Sequence, residues 1–137
     1  MKTMIATLLM TGLVVTAVAG AEDVTVKTFV RAESDHMIRA NMEAYGVEFG
    51  KFTHLREPVT PENQPVIRMN QDTLYSSTVL DLSKTVEITL PEAGGRYMSM
   101  HVVSQDHYCF VEAQPGTYEL TEDTVGTRFA LVTVRTF

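Results

Sequence analysis

The spacing of apolar residues changes along this chain. Between Thr28 and Val47 they recur with a helical period. Val30, Met37, Ile38 and Tyr45 fall on one stripe, and Arg31, Glu33, Asp35, Arg39 and Glu43 populate the other. Thr28 suits the N-cap and Gly46 the stop, so one helix is predicted over 28–47. Prolines at 58, 61 and 65 then predict a loop over His54–Pro65. Beyond it the period shortens. Val66–Met69 and Thr73–Leu82 read as strands, and Val86, Ile88 and Leu90 alternate with Glu87 and Thr89 as in a half-buried strand. Tyr97–Val103, Tyr108–Val111, Thr117–Leu120 and Arg128–Thr136 complete the set. The breaks fall at Pro91–Gly95, Ser104–Asp106, Gln114–Gly116 and Asp123–Gly126. In Tyr97–Val103, the face bearing Tyr97, Ser99, His101 and Val103 lies opposite Met98, Met100 and Val102, which turns His101 toward solvent. Phe129–Val134 is apolar on both faces, as a central strand is. Short strands with turn signals roughly every 8–12 residues predict a mostly β, α+β domain. The expected architecture is an antiparallel β-sandwich or barrel-like domain with one N-terminal helix. A central strand so near Phe137 also predicts that the domain is incomplete at its C-terminus.

The first 21 residues follow a different rule. Lys2 precedes a run from Met4 to Val18 that is uncharged and broken only by Thr7, Thr11, Gly12 and Thr16. Ala17-Val18-Ala19 and Ala19-Gly20-Ala21 supply the small-x-small pattern of a cleavage site. Met1–Ala21 therefore reads as a secretory signal peptide and 22–137 as a single exported domain, periplasmic or secreted. The apolar run is about 15 residues, short of the roughly 20 that span a bilayer, so no stable membrane anchor is expected. The formal charge is −6 and becomes one unit more negative without Lys2. Lys and Arg are scattered, which argues against a nucleic-acid partner. Cys109 is the only cysteine, so no internal disulfide forms; it reads as a small buried residue of a strand. No C-x-x-C-H, G-x-G-x-x-G or P-loop occurs, and no cofactor is predicted.

Polar chemistry concentrates in VIRMNQDTLYSSTVLDL, Val66–Leu82. If the stretch is extended, Arg68, Asn70 and Asp72 share a face, with Arg68 and Asp72 roughly 13 Å apart at about 3.3 Å per residue. If Asn70–Thr73 turns, Asn70 and Asp72 bond the local backbone. One reading is thus a structural corner in which Arg68 is buried against a carboxylate or carbonyl. The other is a ligand site that uses the Arg68 fork for a carboxylate or phosphate. Ser76, beside Tyr75 and Ser77, is a candidate nucleophile, but the G-x-S-x-G elbow is absent. His101, Asp106, His107 and Glu112 offer N and O donors across one hairpin. Solvent-facing side chains account for them better, and no metal site is predicted. His107 is the candidate acid/base, since imidazole titrates near neutral pH. It would need a carboxylate such as Asp72 or Glu112 to orient it.

Three stretches together resemble one family, the domain of unknown function 1254. They are Val66–Leu82, LPEAGGRYMSMHVVSQDHY (Leu90–Tyr108) and GTYELTEDTVGTRFALVTVRT (Gly116–Thr136). They carry the V-x-R-x-N-x-D-T-L-Y-S, P-x-x-G-x-R-Y, D-H-Y, G-T-R-F and V-R-T patterns. The resemblance implies a β-rich sandwich-like fold over about Phe29–Phe137, and it names no catalytic residue. Its matching positions are Arg68, Asn70, Asp72, Tyr75, Ser76, Arg96, Asp106, His107, Tyr108 and Arg128. The expected function is a soluble domain that binds a small ligand or a partner, with Arg68, Asn70, Asp72, Tyr75, His107 and Tyr108 as ligand-binding candidates. The alternative is a hydrolase-like enzyme using Arg68, Asp72 and His107.

Overall fold

The computed structural model describes residues 23–64 and 68–137. The predicted signal, Met1–Ala21, lies outside the described residues, as do Val66 and Ile67 of the predicted first strand. The rest of that strand is not extended: Arg68 stands in a turn with left-handed backbone (φ 65), and Met69 and Asn70 continue as irregular chain.

Helix α1 spans Phe29–Tyr45 and ends where Gly46 turns left-handed (φ 61), its N–H reaching the Met42 carbonyl. Thr28 leads in without a side-chain cap. The strands are β1 (Thr53–Leu55), β2 (Leu74–Asp81), β3 (Val86–Leu90), β4 (Met98–Ser104), β5 (Cys109–Glu112), β6 (Gly116–Leu120) and β7 (Phe129–Thr136), with a one-turn helix α2 (Glu122–Val125) before the last. Two elements depart from the expected pattern. β1 overlaps the start of the predicted loop and forms by pairing with β2, a long-range choice that local sequence does not encode. α2 replaces a plain turn because the Thr121 hydroxyl accepts from the Thr124 N–H while the Thr124 hydroxyl accepts from the Thr121 N–H.

Five strands form an antiparallel sheet in the order β1-β2-β7-β4-β5, and β3 pairs with β6 in a separate ribbon. Both sheets are open, so the architecture is sandwich-like rather than a closed barrel. β7 is central, as its two apolar faces predict. It pairs with β2 from Phe129 to Thr136 and with β4 from Ala130 to Thr136. One sheet face lies under the ribbon. There Leu80, Met100, Val102, Ala130 and Val132 pack with Ile88, Leu90 and Leu120 in the main core. The other face lies under α1, where Ile38, Met42 and Tyr45 meet Val79 and Leu131 in a smaller cluster. The buried helix stripe is therefore Ser34, Ile38, Met42 and Tyr45. Val30 and Met37, expected on it, are 49 % and 44 % exposed. Ser34 takes the inward place because its hydroxyl has a partner on the sheet side.

Candidate functional site

The alternation of the three central strands determines what faces α1. Tyr75, Arg135 and Ser99 stand side by side across β2, β7 and β4. The next row is Ser77, Thr133 and His101, and the one after is Val79, Leu131 and Val103. The helix packs most closely on the last row, with Ile38 against Val79 and Leu131. Beside that contact a cavity of about 440 Å³ remains. Ser34, Met37 and Ile38 of α1 form one wall, and Tyr75, Leu131, Thr133, Arg135, His101 and Val103 form the sheet wall. His107 and Cys109 close one end, and Arg68, Met69 and Asn70 close another.

The cavity is one-sided in charge. Arg68, Arg135, His101 and His107 line it, and among the described residues no Asp or Glu does. In a chain with formal charge −6 that is a local inversion. The Arg135 Nε is buried and has no hydrogen-bond partner among the described residues. Its guanidinium lies 5.4 Å from the Phe137 ring centroid, a cation–π contact. Burial pushes the His101 imidazole below its ordinary range, and the charges of Arg135 and His107 push the same way. His101 is consequently neutral near pH 7.

His107 and Arg68 are the two non-glycine residues of the described chain with positive φ (63 and 65), and both line this cavity. The His107 backbone follows from the β4–β5 hairpin. The His107 N–H donates to the Ser104 carbonyl at 3.0 Å, and the Ser104 N–H donates to the Tyr108 carbonyl at 2.9 Å. Gln105, Asp106 and His107 thus make a three-residue loop whose last position is left-handed. The same loop is fastened to α1 at three points. Asp106 takes the Arg31 Nε–H at 2.7 Å, the His107 Nδ1 and Ser34 hydroxyl lie 3.1 Å apart, and Gln105 Nε2 donates to Asp35 at 2.7 Å. Residues 31, 34 and 35 share one helix face, so the spacing of α1 sets the loop.

The predicted site residues separate. Arg68, Asn70, Tyr75 and His107 come together around the cavity. Asp72 does not line it: it is exposed in the turn before β2, with its carboxylate taking the Thr73 hydroxyl at 3.0 Å. Ser76 alternates away from Tyr75 and pairs with His54 of β1 at 2.8 Å. Tyr108 points to solvent, 78 % exposed. Arg68, Asp72 and His107 therefore do not converge, and the partner of His107 is a serine, not a carboxylate. Arg68 is exposed at the rim rather than buried in a strand, because the chain turns there. Cys109, expected to be buried, is exposed on an edge strand and lines the cavity mouth. His101, expected in solvent, lies half-buried because α1 covers its face.

Other motif positions have structural partners. Arg128 grips Asp81 with two hydrogen bonds, 2.8 and 2.7 Å, joining the end of β2 to the start of β7. Arg96 Nε donates to the Ala93 carbonyl within its own turn. Arg135 was legible only as the R of the V-R-T pattern; the apolar strand around it gave no reason to single it out.

A family model described as "Protein of unknown function (DUF1254)" matches residues 49–136. The chain belongs to this family. The matched span holds every strand of the five-stranded sheet and most of the cavity wall, while the α1 wall precedes it. No curated protein and no solved structure matches the chain. Among the described residues, no group of three or more His, Cys, Asp or Glu side chains is placed to hold a metal ion, and no helix is long and apolar enough to cross a membrane.

Proposed function

We propose that this DUF1254 domain is an exported small-molecule-binding domain and that the cavity between α1 and the sheet is its binding site. The observation that carries the reading is the cavity itself. It is a concave space of about 440 Å³ with largely apolar walls, on which Arg68, Asn70, Tyr75 and His107 converge. A few polar groups set in apolar walls are what a small ligand requires. The backbone at Arg68 and His107 supports the same reading, because left-handed non-glycine residues persist where the surroundings hold them and gather at ligand sites.

The test uses a neutral eight-carbon probe, 1-octanol, with thermal unfolding as the readout. Saturation at about 100 times the dissociation constant raises stability by about 2.7 kcal/mol. Val103→Trp, which places an indole in the cavity, abolishes that gain. An equal gain in wild type and Val103→Trp contradicts the reading. Export has its own test: N-terminal sequencing of the secreted protein yields a start near Gly20 or Glu22, and a start at Met1 contradicts it.

A further inference from the structure

We propose that the ligand is a monocarboxylate with an apolar tail, its carboxylate held by Arg135 and its tail lying under α1. The inference rests on the cavity being the binding site and adds the ligand's chemical class.

The carboxylate end follows from what Arg135 lacks. Its Nε–H is buried without a partner among the described residues. A buried donor left unpaired costs free energy that an incoming acceptor recovers. The guanidinium fork matches a carboxylate, which can take two of its N–H groups at once. Tyr75 stands directly beside Arg135 across the β2–β7 pair, and Thr133 stands beside His101 across β7–β4. Tyr75 brings a neutral hydroxyl donor to the same lining, and the Thr133 hydroxyl is shared with Ser77 at 3.2 Å.

The charge count selects a monoanion. Arg135 is a permanent cation on the sheet wall, burial lowers His101 in a way that favours its neutral form, and the His107 Nδ1 is already paired with the Ser34 hydroxyl. Arg68 sits exposed at the rim. The helix residues that line the cavity, Ser34, Met37 and Ile38, lie in the middle of α1, so no helix N-terminus points its N–H groups at the space. A phosphate dianion asks for more donors than this arrangement offers.

The tail follows from the neighbouring space. A second cavity of about 230 Å³ shares Met69, Tyr75 and Thr133 with the first. It runs between α1 and the β1–β2 edge past Tyr45, Val47 and Leu55, and none of its lining residues is charged. The two adjoining cavities are thus basic in the first and uncharged in the second, which is the polarity of a fatty acid or an aryl-alkyl acid.

Calorimetric titration of the protein with octanoate, 1-octanol, octyl phosphate and butanoate tests this. Octanoate binds about tenfold or more tighter than 1-octanol, the effect of a charge-assisted hydrogen bond. Butanoate binds about 200-fold more weakly than octanoate, for four lost methylenes. Arg135→Gln removes the preference for octanoate over 1-octanol. Equal binding of octanoate and 1-octanol overturns the carboxylate assignment and leaves the cavity reading standing. Tighter binding of octyl phosphate than octanoate overturns the monoanion, and equal binding of butanoate and octanoate overturns the tail. Failure of all the probes to bind overturns the cavity reading together with this one. If Arg135→Gln does not fold, the wild-type ranking of the four probes decides alone.

Discussion

His107 occupies the last position of a three-residue hairpin loop, where glycine is the usual residue. Its φ of 63 places it in the left-handed region, which costs an ordinary side chain about 1–2 kcal/mol. Comparing two variants isolates that cost, because both lose the imidazole and its contact with Ser34. His107→Gly is expected to be more stable than His107→Ala by about 1 kcal/mol in urea denaturation, part of the strain relief being offset by the entropy of unfolded glycine. His101 makes a pH prediction. Its folded-state value lies below the ordinary one, so between about pH 6.5 and the folded value the unfolded chain binds the proton and the folded chain does not. Stability contributed there is present above pH 6.5 and falls as the pH drops through that window. His101→Gln flattens this part of the pH–stability curve, measured by thermal unfolding at fixed ionic strength. Tyr75, Arg135, His107, Cys109 and Arg68 are the titratable or charged groups facing His101 from the other cavity walls, and α1 contributes none. At this scale the sequence was legible in part. The alternation that put His101 and Val103 opposite Met100 and Val102 is correct, but alternation does not say what covers each face. Helix α1 covers the face that alternation alone assigns to solvent, which is why His101 is half-buried beside the cavity.

The β4–β5 hairpin and α1 act as one unit through Gln105. Its side chain donates to Asp35 and accepts from the Phe129 N–H, and its own N–H donates to the Thr127 hydroxyl. Gln105 is buried. Gln105→Ala leaves the Phe129 N–H and the Asp35 carboxylate without this partner and is expected to cost about 1–3 kcal/mol. Asp106→Ala breaks a surface ion pair with Arg31 and is expected to cost about 1 kcal/mol or less, by the same denaturation measurement. Most elements could be read from the sequence, because period and turn residues are local signals: α1 and strands β2 to β7 lie within a residue or two of their predicted limits. The failures are non-local. β1 exists only because β2 offers an edge, and the buried stripe of α1 is rotated because Ser34 finds His107 across the chain.

Across the whole molecule, the two faces of the sheet have different tasks. The ribbon face carries the main core, in which Met100, Val102, Ala130 and Val132 are fully buried. The helix face carries a small cluster and the cavity. Met100→Ala is therefore expected to cost about 2–5 kcal/mol. Ile38→Ala costs less, since Ile38 borders space that is already open. The central claim is that this open space, not the ribbon face, takes the ligand. Amide chemical-shift mapping by NMR with 1-octanol tests it most directly. The account predicts shifts in Ser34–Ile38, Tyr75, His101–Val103 and Leu131–Arg135, with Val86–Leu90 and Gly116–Leu120 unmoved. Saturable shifts centred on the β3–β6 ribbon, with the α1-facing residues unmoved, would contradict it.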